Sequence, residues 1–184
     1  LEVISRTIEL ASGRISVVAG TGSNSTEETL HQTKEAESLG ADACLLVTPY
    51  YNRPTQEGLF AHFKKVAETT SVPLILYNVP SRTGCDLLPE TIGRLSSIEG
   101  IVGIKEASGK IERVSKIRSI SAGDFFILSG EDALTLEMMN NGAVGTISVT
   151  ANVLPKAMAE FCDSFLSGNI KRCLLYTSDA ADDS

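Results

Sequence analysis

No cluster of lysine and arginine occurs anywhere in the chain, and its formal net charge is −7. A nucleic-acid surface needs a basic stripe against the phosphates, so no nucleic-acid partner is expected. No apolar run approaches the roughly 20 residues of a membrane-spanning helix, and no signal peptide is evident, so no membrane partner is expected either. The four cysteines, Cys44, Cys85, Cys162 and Cys173, form no C-x-x-C pair. They read as reduced core or surface thiols rather than a disulfide framework. Only two histidines are present, His31 and His62, each alone on a helix-like stretch. Metal ligands come in clusters, so no metal is expected. An initiating methionine is also lacking. The chain opens in mid-pattern with "LEVISRTIELASG", which reads as a truncated start.

What is present is a globular composition, 42 % hydrophobic and 21 % charged over 184 residues, enough for one domain with a sizeable core. Short apolar runs alternate with amphipathic ones. The strand candidates are Ile15–Gly20, Ala43–Thr48, Leu74–Asn78, Ile101–Lys105, Phe125–Ser129 and Val144–Val149. Each is nearly continuous in Val, Ile and Leu, as in parallel strands covered on both faces. Helix patterns lie between them. Ser25 and Glu28 have capping-box spacing, and Gly40 supplies a stop. Leu59, Phe63, Val66 and Ala67 make a helical stripe, and Pro89 fits a first turn with Ile92 and Leu95 inward. Ile111, Val114 and Ile117 repeat the theme, as do Met158, Phe161 and Phe165. About six βα repeats imply a parallel sheet with right-handed crossovers. A doubly wound sheet and a (β/α)8 TIM barrel both fit. A barrel needs roughly 250 residues, so six units without a proper start are expected to be a barrel lacking its first two strands. In both architectures ligands bind at the carboxyl ends of the strands.

Those ends carry "TPYYNRP", "YNVPSRTG", "SGED" and "SVTAN", and in "IVGIKEASG" an apolar strand runs straight into Lys105. Desolvation there disfavours the ammonium form, and a neutral amine attacks carbonyls to form a Schiff base. By position alone, a lysine snorkelling to water fits as well. Tyr77 ends the preceding strand, one strand spacing away, where a phenol can hand protons to and from a carbinolamine or simply cap the core. Arg82 follows in the loop, and its fork suits a carboxylate or a rim ion pair. Tyr50 and Tyr51 are adjacent and so expected to face different surfaces, one serving the site and the other an interface, or else both simply pack the loop. Gly130 and Gly145 permit tight turns or close ligand approach.

The segments "VVAGTGSNSTEET", "TPYYNRPTQEGL", "LYNVPSRTGCDL", "IVGIKEASG", "LSGEDA" and "GTISVTANV" occur in order and resemble the dihydrodipicolinate synthase family of pyruvate-dependent aldolases, from about Ile15 to about Arg172. The resemblance implies that Lys105 forms the imine with pyruvate and that Tyr77 is the proton donor and acceptor. It implies that Tyr51 belongs to a proton relay and reaches a neighbouring subunit's site, and that Arg82 holds a substrate carboxylate. Gly130 and Ile147 match pyruvate-contacting positions. Gly22, Asn24, Glu28 and Tyr50 match contacts of an allosteric lysine. The implied reaction condenses pyruvate with L-aspartate 4-semialdehyde to 4-hydroxy-tetrahydrodipicolinate, in lysine and diaminopimelate biosynthesis. The implied setting is a cytoplasmic homotetramer, a dimer of dimers, with no cofactor beyond the covalent pyruvate imine on Lys105 and no metal.

Sister lyases of sialic acid share the lysine and tyrosine but usually lack the arginine, so Arg82 tips the expectation to the synthase, with another pyruvate aldolase such as a sialic-acid or keto-deoxy-sugar lyase as the alternative. A receiver-type signalling domain, which also carries a lysine at a strand end, fits worse. The first strand candidate ends in Gly-Thr-Gly rather than acids, and Glu106 follows Lys105. Two departures from the family stand out. Its early "GTTGE" threonine loop is absent and is expected in missing N-terminal strands. Residues 173–184, "CLLYTSDAADDS", match nothing in it, where further C-terminal helices should follow. That tail is expected to be an adaptor or cloning artefact beyond a partial barrel of residues 1–172, and the chain alone is expected to be inactive.

Overall fold

The computed structural model describes residues 1–171 and Cys173. Helix α1 (Glu2–Ala11) precedes strand β1 (Val18–Gly20). The chain continues through α2 (Thr26–Leu39), β2 (Ala43–Val47), α3 (Gln56–Ala67), β3 (Leu74–Asn78), α4 (Pro80–Thr83) and α5 (Pro89–Leu95). It ends with β4 (Ile101–Glu106), α6 (Glu112–Ile120), β5 (Phe126–Ser129), α7 (Thr135–Asn140), β6 (Gly145–Thr146) and α8 (Pro155–Leu166). The six strands lie in sequence order, all parallel. A doubly wound sheet reverses its order at a switch point, and none occurs here. The sheet is therefore an arc of a (β/α)8 barrel, as expected.

The apolar strands are covered by the helical stripes. Leu46, Leu74, Leu76 and Ile104 share one core cluster with Leu59, Phe63, Ile92, Leu95, Val114 and Ile117, all fully buried. Each such side chain stabilises the fold by roughly 1.5–3 kcal/mol relative to exposure. All four cysteines are free, and Cys44, Cys85 and Cys173 are buried. Cys173, the first residue of the expected foreign tail, sits in this core with its thiol 3.5 Å from the Phe161 carbonyl oxygen. The rest of that tail, residues 174–184, lies outside the described residues.

Differences from the sequence reading fall at the sheet edges and caps. β1 starts at Val18 instead of Ile15, because the preceding residues have no strand beside them. The Asp42 carboxylate takes the Val17 amide at 2.7 Å, and Ile15 is exposed. β6 is two residues long because β5 ends at Ser129, after which residues 150–152 coil into a 3-10 turn. Only half of the capping box forms. The Ser25 hydroxyl accepts from the Glu28 amide at 3.4 Å, but the Glu28 carboxylate accepts from the Ser23 hydroxyl at 2.6 Å. Helix α1 was not anticipated, although Ile4, Ile8 and Ala11 recur at helical spacing and Ala11 is buried.

His62, on the buried face of α3, bonds the Thr26 hydroxyl through Nδ1 at 2.8 Å, and its Nε2 has no partner. Burial pushes its imidazole down to about 4. A base whose folded value lies below its unfolded one binds fewer protons in the native state. Stability is therefore complete above about pH 6.5 and is lost as pH falls toward 4. Between pH 7 and pH 5 the unfolding free energy should drop by about 2 kcal/mol more than in His62→Gln. Urea midpoints at the two pH values check this, and equal drops in the two proteins would refute it.

Candidate active site

Parallel register places Tyr77 of β3 directly beside Lys105 of β4. The Lys105 Nζ lies 4.3 Å from the centre of the Tyr77 ring. Lys105 is only 9 % exposed. Burial pushes its ammonium below the ordinary lysine value. The negative charge of Asp132 opposes that shift, and Arg82 reinforces it. Burial pushes the Tyr77 phenol up. Arg82 opposes this in part and Glu131 adds to it, so the phenol keeps its proton. The pair thus joins an amine whose charged form is disfavoured relative to a free lysine with a phenol that holds its proton.

Gly130 explains how a long side chain fits there. A Cβ at this position would come 2.8 Å from Lys105 Cε and 2.7 Å from the Ala107 methyl, so only glycine leaves the lysine its path. Ile147 donates its amide to the Ser129 carbonyl at 2.9 Å, just beyond β6 and beside the same strand end.

Two groups of residues were not singled out from sequence. Asp132, in the quoted "SGED", accepts at Oδ2 from the Thr150 amide at 2.9 Å and the Thr150 hydroxyl at 2.8 Å. Burial pushes its carboxyl up, but the Thr150 amide, the Ser148 and Thr150 hydroxyls and the Val149 amide together hold it below its usual value. It remains an anion near Lys105 and pins the loop that follows Ile147. On the other face of β4, the fully buried Glu106 carboxylate accepts from the Ser108 amide at 2.7 Å. It also accepts from Arg113 Nη2 and from Asn78, each at 3.3 Å. Asn78 and Arg113 both reach Asp86 as well, at 3.0 and 3.2 Å. An acid in a quoted motif and an arginine within a helix pattern were the available signals.

Arg82 stands on α4, a single turn absent from the sequence reading. Pro80 opens it, and Gly84 at φ 67° closes it, donating its amide to the Pro80 carbonyl at 2.9 Å. The turn presents Arg82 to a rim cavity of about 690 Å³, lined also by Tyr50, Tyr51, Arg53 and Thr83. Tyr51 is 88 % exposed at φ 70°, so this chain does not bring it to Lys105. Tyr50 is half-exposed on the adjoining position. Gly22 packs so tightly that a Cβ would overlap the Val47 amide nitrogen. Asn24 accepts through its carbonyl from the Asn52 side chain at 3.0 Å, tying the Gly22–Glu28 segment to the Tyr50 loop. A second cavity, about 570 Å³, opens at the opposite ends of β4 and β5, near Ile101 and Phe126. Its lining holds neither an amine nor a phenol.

A parallel barrel arc with a depressed amine and a protonated phenol on neighbouring strand ends defines a class: α/β-barrel proteins equipped for imine chemistry. The model of the Dihydrodipicolinate synthetase family matches residues 1–181, and the chain belongs to that family. It is 55 % identical over 168 residues to the 4-hydroxy-tetrahydrodipicolinate synthase of Methylococcus capsulatus, covering 91 % of this chain and 58 % of that protein. The chain therefore spans a little over half the length of such curated relatives. The chloride-inhibited dihydrodipicolinate synthase of Acinetobacter baumannii, solved with pyruvate, superposes with a TM-score of 0.94 at 48 % identity, covering 98 % of this chain and 62 % of that one. The enzyme of Cyanidioschyzon merolae with lysine bound gives 0.91 at 37 % identity, covering 96 % and 61 %.

Proposed function

We propose that this chain carries the catalytic half of a 4-hydroxy-tetrahydrodipicolinate synthase, condensing pyruvate with L-aspartate 4-semialdehyde. The observation that carries the reading is the Lys105 amine over the Tyr77 ring on paired strand ends. The neutral amine adds to the pyruvate carbonyl carbon. The Tyr77 phenol gives its proton to the departing hydroxyl, water leaves, and the imine forms. The Tyr77 phenolate takes a methyl proton to give the enamine, whose carbon attacks the aldehyde while the phenol returns the proton to the new alkoxide. The amino group of the condensed substrate then attacks the imine carbon, closes the ring and expels the Lys105 amine, a sequence that calls on neither metal nor cofactor. Arg82, at the rim, takes the aldehyde substrate's carboxylate. The exposed Tyr51 is the phenol lent to a neighbouring subunit, which supports a homotetramer, and buried free thiols suit a reducing cytoplasm.

The test is trapping by borohydride in the full-length enzyme, with the adduct mapped by mass spectrometry. Arg82→Ala should leave pyruvate trapping on Lys105 intact and lower turnover with aspartate semialdehyde about ten- to hundredfold, the cost of a charge-assisted contact. A stable adduct elsewhere sinks the reading, and equal loss of trapping and turnover sinks the role of Arg82.

Lysine feedback is part of the same reading. Gly22, Asn24 and Tyr50 lie on two loops bonded to each other, and Glu28 stands in the first turn of α2 with its carboxylate on the Ser23 hydroxyl rather than on its cap. Lysine titration should inhibit the wild-type enzyme, and Glu28→Ala should lose that sensitivity. Unchanged turnover at millimolar lysine would contradict it.

A further inference from the structure

Among the described residues the arginines sort into three groups. Arg6, Arg94 and Arg113 pair with carboxylates, and Arg14 and Arg118 bond backbone carbonyls. Arg53 and Arg82 form no ion pair, although the chain holds 23 acidic residues and only 16 basic ones. Both line the same rim cavity. Among the described residues Arg53 is one of three non-glycine residues with positive φ, at 45°, and Tyr51 in the same loop is another. A residue held in the left-handed region persists only when its surroundings fix it. Here the Tyr51 amide donates to the Thr83 carbonyl at 3.2 Å, and the Asn52 side chain donates to the Asn24 carbonyl, so the loop is fastened at the first strained position and between the two.

The guanidinium of Arg53 lies against Gly84. A Cβ on Gly84 would stand 3.2 Å from its Nε and 3.5 Å from Nη2. The missing side chain lets the planar group rest over the end of α4, two residues from Arg82. Two cations lining one cavity without an ion-pair partner are unfavourable unless an anion arrives there. A planar fork matches a carboxylate bidentately, so two forks on one cavity suit a carboxylate gripped from both sides.

We propose that Arg53 joins Arg82 in a two-guanidinium carboxylate site and is a specificity-determining residue for the second substrate, the carboxylate-bearing aldehyde that meets the imine. This rests on the reading of Lys105 given above. The test uses the full-length enzyme and Arg53→Asn, because asparagine tolerates the left-handed region. Succinate serves as the probe, titrated by calorimetry onto enzyme whose pyruvate imine has been reduced with borohydride. Succinate should bind about tenfold more weakly to the variant, the rim being partly solvated. The KM for aspartate semialdehyde should rise by a similar factor while pyruvate trapping stays unchanged. Arg53→Lys, which keeps the charge but not the fork, should fall between the two. If Arg53→Asn fails to fold, Arg53→Lys carries the test, and a succinate affinity equal to wild type then overturns the proposal. Unchanged succinate affinity and unchanged KM in Arg53→Asn overturn it as well. Failure of the wild-type enzyme to trap pyruvate at Lys105 would instead overturn the reading of the site, so the two failures are distinct.

Discussion

Lys105→Arg should abolish borohydride trapping of pyruvate and lower turnover by about four to six orders of magnitude, as removal of a covalent nucleophile does. A guanidinium stays protonated at every accessible pH and has no lone pair to offer a carbonyl. The substitution keeps a cation near Asp132, so loss of fold does not explain loss of chemistry. The wild-type pH profile gives a second check. Burial holds the lysine ammonium below its ordinary value, so its neutral fraction grows as pH rises and reaches its plateau at a lower pH than a free lysine would. The rate of trapping should follow that curve. Tyr77→Phe should keep the amine and lose the proton donor, slowing imine formation by about two to four orders of magnitude. Rapid trapping in Lys105→Arg would mean that another amine does the work.

The barrel arc was legible because parallel strands buried on both faces leave continuous Val, Ile and Leu runs, as in Leu74–Asn78 and Ile101–Glu106. The neighbourhood of Lys105 and Tyr77 was legible for a related reason. Consecutive βα units put consecutive strands side by side, so two residues at the ends of adjacent strands must meet. The edges were not legible. Val144–Val149 carries the β-branched Val, Ile and Thr of a strand, yet only Gly145 and Thr146 pair, because a ladder needs a partner of equal length and β5 stops at Ser129. Composition reports what a segment is suited to, not whether a neighbour is present.

Side chains acting through others were also hidden. Nothing in "KIERVSK" marks Arg113 as buried, since its role comes from Glu106 and Asp86 in the fold. Gly130 was read as a turn or close-approach residue, and the close approach turns out to be that of Lys105 itself. Glu28 shows the reverse. Its capping-box spacing was correct, but a nearby Ser23 hydroxyl competes successfully for the carboxylate. Local motifs predict bonds only while no tertiary partner offers a better one.

Glu106→Leu should destabilise the fold by about 3–5 kcal/mol, because it strands the Arg113 guanidinium in a site where that side chain is almost wholly buried. Asp86 is partly solvated and offers only a 3.2 Å contact, so it compensates in part. Arg113→Met alone should cost a similar amount by leaving the fully buried Glu106 without its cation. The double variant should recover most of that loss, since a buried ion pair replaced by apolar groups of similar size is often neutral. Urea midpoints of the four proteins give the coupling, and additive losses would show that the pair does not act as a unit. Activity should behave differently from stability. Asn78 and Glu106 are register partners one step beyond Tyr77 and Lys105, and their side chains bond across β3 and β4. The double variant keeps an apolar core there but loses the polar tie that fixes the two strand ends. Its stability should return toward wild type while turnover with bound pyruvate stays depressed, with the KM for pyruvate little changed. Full recovery of both would reduce the network to packing alone.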